Sequence, residues 1–192
     1  MKKQQRQEAI LLSLKRLHYL SRSQVQTLHN LKSDRNASKV LKELSDYVSS
    51  FRDGENIYYL NKEGRERVNS DKVLKKTTQA RHYIMRNSLF IAYGCPSSWK
   101  NETKLEVPGQ VKVIADALFI RDKRYHIIEV DHTQKMIKNK AKIERYKKLI
   151  SLGVFEIEPQ FIWITTTELR RKQLLKLSEG QTVRVFTVKD FN

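Results

Sequence analysis

Three carboxylates stand close together in the second half of the sequence: Asp116 in VIADALFI, and Glu129 and Asp131 in HIIEVD. Both stretches are apolar runs that read as β-strands. Strand alternation aligns Asp116 with Ile114 and Leu118, and Glu129 with Ile127 and Asp131. If the strands pair in the expected register, all three acids project from one sheet face. Asp116 and Glu129 are then hard-oxygen donors for one Mg²⁺. A metal there would lower the pKa of a bound water and stabilise charge building on an attacked phosphodiester. Without a cation, at least one of three acids buried together would hold a proton. Lys135 and Lys142, in the lysine-rich stretch that follows, are close enough in sequence to reach back. The same residues also admit a purely structural reading. Glu129 and Asp131 would pair with the following lysines or cap a helix starting near Thr133, a favourable placement by about 0.3–1 kcal/mol.

The elements that must position these acids follow from periodicity. TKLEV near 103–107, VIADALFI at 113–120 and YHIIEVD at 125–131 read as strands, with RDKR at 121–124 as the turn between the last two. A helix follows to Gly153, then the strand PQFIWITT after Pro159, the helix TELRRKQLLKL and a closing strand VRVFTV. Ahead of them, Tyr83, Ile84, Asn87, Phe90 and Ile91 share one side of a helix that GCPSSW breaks. The order α-β-β-β-α-β-α-β predicts an α/β sandwich over residues 76–192. The helix at 133–150 carries Lys135, Lys138, Lys140, Lys142, Arg145, Lys147 and Lys148 against the single acid Glu144. Met136, Ile143 and Ile150 lie on its apolar side. Its lysines form either a stripe that tracks phosphates or a solvated face.

Residues 1–70 read as three helices and a hairpin. Ile10, Leu11, Leu14 and Leu17 recur at helical spacing, and Ser23 is placed to cap a short helix containing Val25 and Leu28. Ala37, Val40, Leu41, Leu44 and Val48 predict a third, amphipathic helix, capped by Ser33 or Asp34. Asp53-Gly54 marks a hairpin turn, NKEGRERV begins another short helix, and 69–75 is a polar joint. The outer face of the third helix carries Arg35, Ser38, Lys39, Lys42 and Asp46. Such a helix fits the DNA major groove, where Arg and Lys read guanine and Asn reads adenine. Arg35, Asn36 and Lys39 in its first turns are the candidate base readers. Arg52, near the hairpin tip, is the candidate backbone or minor-groove contact. The alternative is a charged helical module that docks another protein.

Composition points the same way. The chain has 192 residues, 38 Lys and Arg against 21 Asp and Glu, and a formal charge of +17. Basic residues outnumber acidic ones in both halves. A polyanion is the expected partner. No apolar run approaches membrane-spanning length and no secretory signal opens the chain. One cysteine, Cys95, leaves no intramolecular disulfide and no zinc cluster, so a reducing cytoplasm is expected. The histidines lack ligand spacing, and no nucleophile motif or glycine-rich phosphate loop is present.

Three helices and a basic hairpin of this size, with YYLNKEGRERV after it, resemble a winged helix-turn-helix. The following part resembles the restriction-endonuclease-like, PD-(D/E)XK, superfold, which has an Asp on its second core strand and a Glu and a Lys two apart on its third. Asp116 and Glu129 match. Ala115 stands where proline would be, and Asp131 stands where the Lys would be. In order along the chain, YYLNKEGRERV, ADALF, HIIEVDHT, KIERY, FIWITT and VRVFTV resemble the replication-relaxation family of plasmids, integrative elements and phages. The resemblance implies a role in plasmid-type replication, DNA relaxation or mobilisation. The expectation is therefore a sequence-selective, double-stranded-DNA-binding protein with a DNA-binding domain at 1–70 and an endonuclease-like domain at 76–192. It would need no cofactor, dimerise on DNA, and work with a relaxase or replication initiator. The Lys135, Lys138 and Lys142 segment would add phosphate contacts. A Mg²⁺-dependent nickase using Asp116 and Glu129, a transcriptional regulator and a protein-docking adaptor are the alternatives.

Overall fold

Apolar spacing at 10, 11, 14 and 17 folds as α1 (Lys3–Leu17), which buries those four side chains. The structure is a computed structural model that describes residues 3–191. It is a mixed α/β protein with seven α-helices and two β-sheets among those residues. None of these helices is long and apolar enough to cross a membrane. The chain divides into two units, Met1–Asn87 and Ser88–Asn192.

In the first unit, a two-residue strand β1 (Leu20–Ser21) precedes α2 (Arg22–Leu28). The cap of α2 is Ser21, not Ser23. Ser21 Oγ accepts from the Gln24 N–H and the Gln24 side chain accepts from the Ser21 N–H, a reciprocal box. Ser23 instead donates to Glu55 through its N–H and its hydroxyl. α3 (Asp34–Lys42) is capped by Ser33. It ends earlier than the apolar pattern suggests: Leu44 lies in the turns that follow, and Val48 opens β2 (Val48–Asp53). β2 turns at Gly54, φ +73°, into β3 (Glu55–Leu60), and the sheet order is β1-β3-β2, all antiparallel. The motif NKEG then seats α4 (Lys62–Arg67) on the turn after α3. Asn61 accepts from the Gly64 N–H and donates to the Asp46 carbonyl. A Cβ at Gly64 would stand 2.0 Å from the Tyr47 carbonyl oxygen. The division between units falls inside α5 (Ala80–Ala92), beyond the polar stretch at 69–75. The first turns of α5 are tied to the N-terminal unit. Arg86 and Asn87 are buried and donate to the carbonyls of Leu17 and Tyr19. Gln24 donates to the Ile84 carbonyl, and Arg81 clamps Asp53.

In the second unit, β4 (Lys100–Val107), β5 (Val111–Arg121) and β6 (Arg124–Asp131) form an antiparallel meander. α6 (Met136–Ser151) and α7 (Glu168–Leu177) are the crossovers that let β7 (Gln160–Thr165) and β8 (Val183–Thr187) continue parallel to β6. The order is β4-β5-β6-β7-β8, and a 3₁₀ turn (Val188–Phe191) follows. β7, buried on both faces, reads as the unbroken apolar run FIWI. Ile143, Tyr146 and Leu149 of α6 and Leu174 of α7 pack on Ile127, Phe161, Trp163 and Val185.

Candidate functional site

The β5–β6 ladder runs from Arg121↔Arg124 to Ala117↔Ile128 and stops there. One step further, where Asp116 would face Glu129, the Val130 N–H donates to Asp116 Oδ2 at 2.7 Å instead. The two acids therefore meet at the place where the strands leave their pairing. Glu129 points to the helical side, with none of its surface exposed. Lys142 and Tyr146, one turn apart on α6, close on it: Lys142 Nζ binds Glu129 Oε2 and the Tyr146 hydroxyl donates to Glu129 Oε1. Lys142 Nζ also lies 4.0 Å from Asp116 Oδ1, and the Lys142 and Asp116 side chains are each 19% exposed. The cluster's ammonium group thus comes from the helix that follows the strand.

The electrostatics follow from burial. Desolvation, and next the Asp116 carboxylate, pushes the Glu129 carboxyl well above the ordinary glutamate value, against the pull of Lys142 and Tyr146. Burial works against the Lys142 ammonium, but Glu129 and Asp116 outweigh it and raise its pKa. Burial, reinforced by Glu129, holds the Tyr146 phenol well above its usual range, so it stays a donor. Two carboxylates facing one ammonium leave the cluster short of one positive charge. A proton on Glu129 or a further cation supplies it. Mg²⁺ would need only one or two protein carboxylates, and here both Glu129 oxygens accept from Lys142 and Tyr146 and Asp116 Oδ2 accepts from the Val130 N–H. Among the described residues, no group of three or more His, Cys, Asp or Glu side chains is placed to hold a metal ion.

Asp131 does not join this cluster. Arg170 of α7 grips it through two hydrogen bonds of 2.7 and 2.6 Å, and Thr165 and Asn139 donate to it at 2.7 Å each. Burial opposes its charge, yet Arg170, Thr165 and Asn139 together hold it below the ordinary aspartate value. Arg170 also donates to the Gln134 carbonyl, so this knot fixes the turn that leads into α6. Neither Glu129 nor Asp131 caps that helix. Its N-cap is Lys135, which makes no side-chain cap. The sequence pattern does not single out Arg170 or Asn139 as partners of Asp131, and nothing in their spacing signals it. The pair Lys142 and Tyr146 carries a readable signal, the i, i+4 spacing within KIERY.

Elsewhere, Arg35, Ser38, Lys39 and Lys42 are exposed on one side of α3, opposite buried Ala37, Val40 and Leu41. Asn36 is turned inward and donates to the Leu31 carbonyl at 2.8 Å, which occupies it in the α2–α3 turn. Arg52 on β2 is exposed. On α6, Lys135 and Lys138 are exposed at its start, whereas Lys142 is drawn into the acid cluster and leaves the outward stripe.

These features define a basic, two-unit α/β protein with a buried carboxylate–lysine–tyrosine cluster at a splayed strand pair. A family profile described as replication-relaxation matches residues 11–162, and the chain belongs to that family. No curated protein matches it in sequence. Among solved structures it is similar to protein VC1899 from Vibrio cholerae, with 10% identity and a TM-score of 0.45 over 98% of this chain and 53% of that one. It is also similar to Can2 from Sulfobacillus thermosulfidooxidans, solved with cyclic tetra-adenylate, with 12% identity and a TM-score of 0.39 over 95% and 49%. The chain spans about half the length of these two structures.

Proposed function

We propose that the chain is a sequence-selective double-stranded-DNA-binding protein acting in the replication or relaxation of a mobile element. The observation that carries this reading is the exposed stripe Arg35, Ser38, Lys39 and Lys42 on α3, backed by a buried apolar side. The order α1-β1-α2-α3-β2-β3 supports reading this unit as a winged helix-turn-helix, in which α3 would be the recognition helix and the β2–β3 hairpin the wing. Lys135 and Lys138 supply phosphate contacts. They sit at the N-terminal end of α6, where the helix dipole disfavours cations and the first turn holds no acid, so stability does not account for their placement. Footprinting on the DNA flanking the gene tests the proposal. A protected sequence that is lost in Arg35→Ala/Lys39→Ala is expected. An unaltered footprint in that variant refutes the assignment of α3.

A second reading, Mg²⁺-dependent cleavage of one DNA strand, is favoured by Lys142. Asp116 and Glu129 would hold the ion, which would supply an activated water and charge neutralisation. Lys142 would hold Glu129 in place and set its proton affinity, and Tyr146 would fix the other carboxylate oxygen. Supercoiled plasmid incubated with Mg²⁺ should then be relaxed by the natural protein and not by Glu129→Gln. Intact plasmid with the natural protein excludes this chemistry and leaves the DNA-binding proposal standing.

A further inference from the structure

On the sheet face away from α6 and α7, three rings stack in a row. Trp99 lies on Phe119 at 5.8 Å and 14°, and Phe119 lies on His126 at 4.5 Å and 15°. Trp99 and Phe119 are buried and His126 is partly exposed, so the row opens to solvent at the imidazole. The end of the β5–β6 hairpin surrounds that opening with cations. Arg121 and Arg124 face each other directly across the ladder, with Asp122-Lys123 as the two-residue turn. Like charges directly opposite on paired strands destabilise a sheet. Both turn residues also have positive φ, 50° and 60°, a conformation that Asn-Gly would hold at lower cost. Strand pairing and turn formation therefore do not explain the charge at this tip. Arg121 spreads over Phe119 and Tyr93, 5.5 and 5.9 Å from the ring centres, and donates to the Tyr93 carbonyl. Arg184 of β8 bonds the Tyr93 side chain. Burial first, and then Arg121 and Arg124, keep the His126 ring below the ordinary histidine value, against the Arg124 carbonyl and Asp122. At neutral pH it is an uncharged aromatic surface.

Planar rings that end in solvent, bordered by guanidinium groups, are the parts of a single-strand site: bases stack on the rings and phosphates pair with the cations. In a duplex the base faces are covered by their neighbours, so His126 has nothing to stack on there. We infer that the hairpin-end platform of His126, Arg121 and Arg124 binds single-stranded nucleic acid, with a base on the imidazole and its flanking phosphates on the arginines. This assignment is independent of α3.

The test is fluorescence anisotropy of the full chain with a labelled oligothymidylate, an abasic oligomer of equal length and a duplex. Oligothymidylate should bind about fivefold or more tighter than the abasic strand, the worth of one stacked base. Arg121→Gln/Arg124→Gln should weaken oligothymidylate binding by about tenfold at low salt and leave duplex binding within about twofold. His126→Ala should remove the preference over the abasic strand, and His126→Phe, which keeps a ring, should retain it. Lys172→Gln/Lys176→Gln on α7 removes the same charge elsewhere and should change little. Circular dichroism melts confirm that each variant is folded. Equal affinity for the abasic and thymidine strands, or equal losses on single strand and duplex in the arginine variant, would overturn the inference.

Discussion

At Glu129 two demands conflict. The side chain is fully buried beside Asp116, which favours its neutral form, while Lys142 and Tyr146 favour the carboxylate. The first wins, so the folded state holds this proton more tightly than the unfolded chain does. The sign follows: the contribution to stability is complete below the ordinary glutamate value of 4.5 and is lost as pH rises toward the raised folded value. Urea denaturation across pH should therefore show stability falling above pH 4.5 in the natural protein, and Glu129→Gln should flatten that fall. Parallel curves would mean that Lys142 keeps Glu129 ionised. Asp131 has the opposite sign. Its contribution is present above the ordinary aspartate value of 3.8 and is lost as pH drops through its lowered folded value. The two acids should also separate by mutation. Asp131→Asn strips a buried charge partner from Arg170 and should cost about 3 kcal/mol. Asp116→Asn keeps an oxygen for the Val130 N–H and leaves Glu129 to ionise as the counter-ion of Lys142, so it should cost less, about 1 kcal/mol or under. Equal losses in the two variants would remove the distinction between a site acid and a structural one. The sequence puts Asp116 and Glu129 on neighbouring strands, and alternation puts Asp131 on their face. What it cannot give is Arg170, 39 residues away, which draws Asp131 into another network.

Elements were legible where the pattern was local. Alternation and apolar runs locate β4 to β8, and Gly153, with φ +68°, ends α6 as expected. Misreadings arose where a tertiary contact sets a boundary. α3 stops at Lys42 although Leu44 and Val48 continue its apolar period, because those side chains are buried from a turn and a strand instead. β1 is two residues long and exists only because Leu20 and Ser21 pair with Tyr58 and Ile57. α4 is the clearest element-scale case. Its seat depends on Gly64 approaching the Tyr47 backbone, with Asn61 bonded to both sides of the contact. Alanine is the better helix former in isolation by about 1 kcal/mol. Gly64→Ala should nevertheless destabilise the protein by about 1–3 kcal/mol, because the added methyl meets backbone that cannot rotate away. Denaturation midpoints at constant m-value would measure it. A gain in stability would show that α4 is free to shift off the turn.

For the molecule as a whole, a charge of +17 on 192 residues would make the proposed association with DNA a matter of counterions before it is a matter of sequence. Each phosphate contact adds about 0.9 to the slope of log affinity against log salt on duplex DNA. Contacts of different kinds should then separate in one experiment. Arg35 and Lys39 on α3 are proposed to reach bases as well as phosphates, and the exposed lysines at the start of α6 phosphates alone. Lys135→Gln/Lys138→Gln should weaken cognate and random duplex by the same factor and make the slope shallower by about 1.8. Arg35→Ala/Lys39→Ala should narrow the gap between cognate and random duplex, because base readout is what distinguishes them. A titration series between low and physiological salt, on both duplexes, reads the two effects separately. If the α3 variant lowers both affinities equally, its stripe is only another part of the cationic surface. Sequence preference would then have to reside in the β2–β3 hairpin near Arg52 or in the deformability of the DNA itself.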